Sequence, residues 1–168
     1  MTYNTQYFPI SKTYYVANTN KIKEEKFEYN SINQLIRTRT KYYSSPNEQI
    51  VGYEYNSNGQ LSSQTDPLGL KETYTYNGKG LLSAVQNHKN KKTSFDYDPW
   101  GRKIKSTYAD ESISTSTASW ASSPTNALIV INESSTGQPD TQTYLDALNR
   151  EVRTGEKCFD GQYLYVDN

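Results

Sequence analysis

The sequence predicts an all-β chain of antiparallel β-hairpin repeats, on three observations. An aromatic-x-aromatic pair recurs as Phe27/Tyr29, Tyr53/Tyr55, Tyr74/Tyr76 and Phe95/Tyr97, the last three pairs spaced 21 residues apart. Each pair is followed at once by Asn30, Asn56, Asn77 or Asp98, and three positions further on by Asn33, Gly59, Gly80 or Gly101. Helical periodicity is absent; only the stretch from Lys21 to Phe27 leans that way, and its apolar spacing is too sparse to carry a helix.

Each element has a mechanical reason. Side chains alternate along a strand, so an aromatic-x-aromatic pair puts both rings on one face. The Asn or Asp that follows bonds the backbone two residues ahead and starts a turn, and Gly or Asn at the fourth place accepts the positive φ that closes it. Leu35, Leu61 and Leu82 then stand two residues past the closing position, as inward residues of a returning strand. A fifth copy runs from Tyr144 to Arg150, with Asp146 and Asn149 in the turn places. In the last two copies the apolar residue comes one place later, as Ile104 and Val152, so a bulge or a different register is expected there. Asp66-Pro67-Leu68-Gly69 ends a returning strand, and Asn87-His88-Lys89-Asn90 and Tyr108-Ala109-Asp110-Glu111 occupy the equivalent place in the next two units.

Four segments follow. Residues 1–26 hold Tyr7-Phe8 and Tyr14-Tyr15-Val16 without a clean turn signature, and are expected to form one or two degenerate strands. Residues 27–111 hold four hairpin repeats. Residues 112–142 are an irregular insertion or a diverged repeat: 112–126 are Ser/Thr-rich around Trp120 and read as a loop, and 127–131 as a strand buried on both faces. Residues 143–168 are a further, truncated repeat.

Composition excludes several classes. The 18 Lys+Arg balance 18 Asp+Glu, so there is no basic excess to hold a phosphate backbone, and nucleic acid is not an expected partner. The longest apolar run, residues 127–131, is far too short to span a bilayer, and the first residues lack the charged and apolar regions of a signal peptide. A single cysteine rules out an internal disulfide or a multi-Cys metal site. With 16 Tyr and 2 Trp among 168 residues, aromatic rings rather than aliphatic side chains supply the apolar area.

Chemical candidates are few. His88 lies among lysines in a polar tract and reads as a solvated turn residue; Cys158, flanked by Lys157 and Phe159, has no second cysteine nearby and reads as a half-buried small residue. Asp96 and Asp98 are spaced to share a strand face, as a glycosidase pair would be, but Asp98 has a turn role and Asp96 fills the variable place held elsewhere by Glu28, Glu54 and Thr75. No calcium-loop pattern occurs, and neither metal nor cofactor is expected. Lys89, Lys91, Lys92, Arg102, Lys103 and Lys105 read as a solvated edge that discourages strand addition. Trp100 and Trp120, off the repeated core positions, are candidates for stacking on a ligand, although Trp100, inside a turn, is expected to pack over the neighbouring repeat.

The segments Tyr53 to Leu61, Tyr74 to Leu82 and Phe95 to Arg102 resemble the tyrosine-aspartate (YD) repeats of the rearrangement-hotspot (RHS) family. Residues Thr65 to Gly69 are similar to the family's inter-repeat turn, and Tyr144 to Arg150 resembles its aspartate-x-leucine-glycine-arginine variant, with Asn149 in the glycine's place. The resemblance spans residues 27 to 168. Asp66 to Leu70 also looks like the motif that closes the family's shell before self-cleavage, but its position between two ordinary repeats reads as a plain turn.

The resemblance implies a curved ribbon, an open segment of a β-solenoid-like shell. In bacterial members that shell encloses a toxic C-terminal domain, and in animal relatives it belongs to cell-surface adhesion proteins. The expected function is therefore a non-enzymatic structural module, secreted or at the cell surface as part of a longer chain. Its partners would be the rest of that RHS polypeptide or its C-terminal toxin domain, with self-association through open strand edges as a further expectation. The alternative is a module binding an extracellular glycan or a surface protein through exposed Tyr and Trp.

Overall fold

The structure, a computed structural model, describes residues 1–17 and 20–168; of the N-terminal segment, Asn18 and Thr19 lie outside the described residues. The chain is all-β, with fifteen strands and no helix among the described residues. It divides into two compact units, Met1–Thr75 with Val85–Asn90, and Tyr76–Ala84 with Lys91–Asn168.

In the first unit β1 (Thr2–Tyr3), β2 (Pro9–Val16), β3 (Asn20–Tyr29), β4 (Leu35–Tyr42), β5 (Glu48–Tyr55), β6 (Leu61–Thr65) and β7 (Lys71–Tyr76) pair in chain order, each antiparallel to the last. β7 and β8 (Leu82–Gln86) are divided between the units. In the second unit β9 (Lys92–Tyr97), β10 (Lys103–Thr107), β11 (Ile113–Trp120), β12 (Ile129–Ser135), β13 (Thr141–Leu145), β14 (Glu151–Lys157) and β15 (Tyr163–Asp167) repeat the pattern. Short connections allow only this order, because a tight turn returns the chain beside the strand it has just left.

Several elements differ from the sequence expectation. Residues 1–26 hold β1, β2 and most of β3, so Lys21 to Phe27 is strand, its backbone pairing with β2 along one edge and with β4 along the other. The Ser/Thr-rich stretch read as a loop is β11, bonded along its length to β12 from Ser114 to Trp120. Thr and Ser satisfy a strand's backbone ladder as well as apolar residues do, and a weak apolar alternation hid it. The strand expected at residues 127–131 begins at Ile129 and runs to Ser135; it is half-buried rather than buried on both faces, and Leu128 stays 43% exposed.

A register shift marks the hairpins closed by the Asn4, Asn30, Asn56, Asp98 and Asp146 turns. Tyr29 pairs with Leu35 but Glu28 with Arg37, which leaves Ile36 as an extra residue. Ser62, Ile104 and Val152 are extra in the same way, as is Ile10 opposite β1. The bulge expected only at Ile104 and Val152 thus recurs in the hairpins of the Asn30 and Asn56 turns as well, whereas β6 and β7, joined by the Asp66–Gly69 turn, pair without a shift.

No large side chain among the described residues is fully buried; Ser63, Ala84, Ser106 and Gly155 are the buried residues among them. Phe27, Tyr29, Tyr53, Tyr55, Tyr74, Tyr76, Phe95 and Tyr97 are all half-buried, while Glu54, Thr75 and Asp96 between them are exposed. One face of each hairpin carries the rings and the other carries charge. Glu28 joins Arg37 and Arg39 there at 2.9 and 2.6 Å, and Glu54 joins Lys71 at 2.8 Å.

Candidate functional site

The repeated turn is built from one side chain. Asn56 Oδ1 accepts from the backbone N–H groups of Asn58 and Gln60 at 3.0 and 2.9 Å, while Gly59 N–H donates to the Asn56 carbonyl at 3.0 Å with Gly59 at φ 80°. Asn30, Asn77, Asp98 and Asp146 make the same pair of side-chain bonds, with Asn33, Gly80, Gly101 and Asn149 at positive φ. Asp66 does so at the opposite end of its hairpin. An unforeseen copy starts the chain: Asn4 accepts from Gln6 and Phe8, and Tyr7 takes the fourth place at φ 65°. A bulky ring at positive φ concealed it.

The fifth residue of the turn follows the first. Asn30 and Asn56 donate their side-chain amides to Gln34 and Gln60, whereas Asp98 and Asp146 accept from the Nε of Arg102 and Arg150 at 2.6 and 2.8 Å. The backbone N–H and guanidinium of Arg150 hold the Asp146 carboxyl below the usual aspartate range. Burial pushes Asp98 upward, but the hydrogen bonds from Arg102 outweigh it and the net shift is down.

Successive hairpins are tied by the second aromatic of each pair. The hydroxyl of Tyr29 donates to the Pro9 carbonyl, that of Tyr55 to Leu35, and that of Tyr97 to Leu82, at 2.9, 2.8 and 2.8 Å. Each acceptor is the first residue of the preceding strand. Burial pushes the phenols of Tyr29 and Tyr55 up. In the fifth sequence copy Leu145 occupies this place and has no hydroxyl to give. Its neighbour Tyr144 points to the other face, where Tyr144 and Tyr165 both donate to Gln142 Oε1 at 3.0 and 2.9 Å. Burial first, then the hydrogen bond with Tyr165, push the Tyr144 phenol up to about 12.

The two tryptophans line one cleft. β10 and β11 pair with Lys105 opposite Thr115, which puts the turn before β10, with Trp100, and the last residue of β11, Trp120, at one end of that hairpin. Together with Arg102, Ala118, Ser119 and Ile129 they line a cleft of about 460 Å³. Trp100 is 80% exposed and Trp120 77%, so Trp100 does not pack over a neighbouring repeat. A large ring carried on an outward turn position has no strand beneath it to cover it.

The remaining candidates stay apart. His88 is exposed at the second place of the Asn87–Asn90 turn, and Cys158 is an exposed thiol at the first place of a turn closed by Gly161 at φ 83°. Asp98 is committed to its turn and Asp96 lies exposed on β9. Arg102, read from sequence as part of a solvated basic edge, is held by Asp98 and lies over the Trp100 ring at 5.2 Å. Among the described residues, no three His, Cys, Asp or Glu side chains gather as a metal set, and no helix is long and apolar enough to cross a membrane.

Residues 55–88 match the family model described as RHS Repeat. The fold is similar to chains in solved structures titled TcdB2-TccC3-Cdc42 and TcdB2-TccC3, each with a TM-score of 0.63 at 12% identity over 89% of this chain. A third, TcdB2-TccC3 without its hypervariable C-terminal region, matches at a TM-score of 0.62 and 12% identity over 88% of this chain. This chain spans 9% of the length of each of those chains. No curated protein matches the sequence.

Proposed function

We propose that this chain, an RHS-repeat chain, serves as a structural module: a run of hairpins that forms part of the wall of a larger shell. The tyrosine clasp carries the proposal. A hydroxyl that reaches back to the preceding strand joins three of the hairpins to their predecessors by the same bond, so hairpins can be added without redesign of that interface. The turn residues Asn30, Asn33, Asn56, Gly59, Asn77, Gly80, Asp98, Gly101, Asp146 and Asn149 then act as framework positions rather than as a binding site. The role assigned to them is non-catalytic.

The finer role is enclosure. In a secreted or surface-exposed parent polypeptide, further repeats would continue the wall beyond β15 and surround a C-terminal domain with toxic activity. The outer edge of β15 offers the backbone groups on which another hairpin, or another copy, would pair.

The test takes the native polypeptide from its source. Its intact mass and electron micrographs should reveal a chain longer than 168 residues, forming a closed wall around a domain that resists protease until the wall is denatured. A native chain of 168 residues without an enclosed domain would overturn the proposal.

A further inference from the structure

We propose that Asn58–Gly59 is a site of spontaneous modification, where the asparagine amide closes on the next backbone nitrogen and is hydrolysed to aspartate and isoaspartate. Asn58 and Asn77 are the only asparagines in the chain followed by glycine. Glycine leaves its nitrogen unshielded and lets the backbone rotate toward the amide, so ring closure within the chain is easiest at these two bonds. They stand at different places of the same turn, Asn58 at the third and Asn77 at the first, and that difference decides between them.

Asn77 is locked. Its Oδ1 accepts from the backbone N–H groups of Lys79 and Leu81, both at 3.0 Å, and the residue is half-buried. Swinging its Cγ toward the Gly78 nitrogen breaks both bonds and opens the turn. Asn58 gives its backbone N–H to Asn56 Oδ1 at 3.0 Å, but it is exposed, and its side chain makes no hydrogen bond among the described residues. What its ring closure must give up is the bond from Gly59 N–H to the Asn56 carbonyl, at 3.0 Å.

The chemistry consumes only water. The Gly59 nitrogen, losing its proton to solvent base, attacks Asn58 Cγ. The new N–Cγ bond closes a cyclic imide, the Cγ–Nδ2 bond breaks, and Nδ2 takes up a proton and leaves as ammonia. Water then opens the imide at either carbonyl. Breaking the N–Cγ bond leaves aspartate at position 58, which the turn accepts, since Ile32, Lys79, Trp100 and Leu148 fill the third place in other copies. Breaking the bond to the main-chain carbonyl leaves isoaspartate, which adds a carbon to the main chain between Asn56 and Gly59. Gly59 N–H then no longer meets the Asn56 carbonyl, and the Gly59 carbonyl is displaced from Gln34 Nε2, which donates to it at 3.0 Å. That bond ties the turn to the preceding one, so isoaspartate loosens one hairpin from the next.

The site does not depend on membership of a larger wall, and its test stands apart from that of the proposed function. The intact 168-residue chain is incubated in mildly alkaline buffer, folded or in urea. Positions 58 and 77 are then read by peptide mass spectrometry with electron-transfer fragmentation, which separates aspartate from isoaspartate. In the folded chain Asn58 should convert about tenfold or more faster than Asn77, the effect on a barrier of breaking two turn bonds. In urea, with the turns gone, the two should convert at similar rates. Asn58→Gln should stop conversion at that position and leave the melting temperature unchanged, because its longer side chain would have to close a larger ring. The isolated isoaspartate form should melt below the Asn58→Asp variant.

Conversion of Asn77 as fast as Asn58 in the folded chain overturns the proposal. So does a folded Asn58 that stays intact, or an isoaspartate form that melts with the Asn58→Asp variant.

Discussion

The Tyr55 hydroxyl donates to the Leu35 carbonyl at 2.8 Å, and this bond joins two hairpins that share no large buried side chain. A sheet without a deep core depends on such bonds, since each half-buried ring contributes less apolar area than a core residue would. The phenol is well suited to the work: its ring covers the face of the sheet and its tip meets a backbone carbonyl near the strand end.

Tyr29→Phe, Tyr55→Phe and Tyr97→Phe should each lower unfolding stability by roughly 0.5–1.5 kcal/mol. The ring and its burial are retained, so the loss reads the hydroxyl alone. Urea denaturation with Tyr108→Phe, an exposed ring, as the control checks it; equal effects at all four positions would remove the clasp from the account.

Positive φ at the fourth turn place makes opposite predictions for glycine and tyrosine. Gly59→Val and Gly101→Val force a branched side chain to φ near 80° and should cost about 1–2 kcal/mol or more. Tyr7→Gly relieves a ring held at φ 65° and 87% exposed, and should raise stability by up to about 1 kcal/mol. Thermal unfolding of the three variants decides both signs.

Acid should weaken the second unit through Asp98 and Asp146. Both carboxyls lie below their ordinary range when folded, so the stability they contribute is present above the unfolded value and is lost as pH falls through the folded one. The decline belongs below about pH 4. Asp98→Asn with Asp146→Asn should flatten it and leave the turns intact at pH 7, because Asn already serves at positions 30, 56 and 77. Denaturant midpoints between pH 2 and pH 7 test this.

Gly155 faces Tyr165 across β14 and β15, and a Cβ there would lie 2.6 Å from Tyr165 Cε1. Gly155→Ala should therefore displace a ring that Gln142 holds by its hydroxyl, at a cost of about 1–3 kcal/mol. In a double-mutant cycle with Tyr165→Ala, most of that cost should disappear.

The hairpins were legible because their signals are local. Alternation and an Asx side chain act within a few residues, so Asn56 through Gly59 can be read from the letters alone, and the resemblance rests on the same residues. Asn4 through Tyr7 uses the same mechanism and was missed, since the closing residue lacks the composition that marks positive φ. β11 was missed for the related reason that Ser and Thr give no alternation to read.

Sequence by itself determined the strand class, the turn chemistry and the order of the hairpins, all set by interactions between residues close in the chain. Only tertiary structure decided what the strands bring side by side. The Leu35 carbonyl that receives Tyr55 is backbone and leaves no trace in composition. Trp100 and Trp120, on separate hairpin segments, share a cleft because the pairing of β10 with β11 puts both at one end of that hairpin.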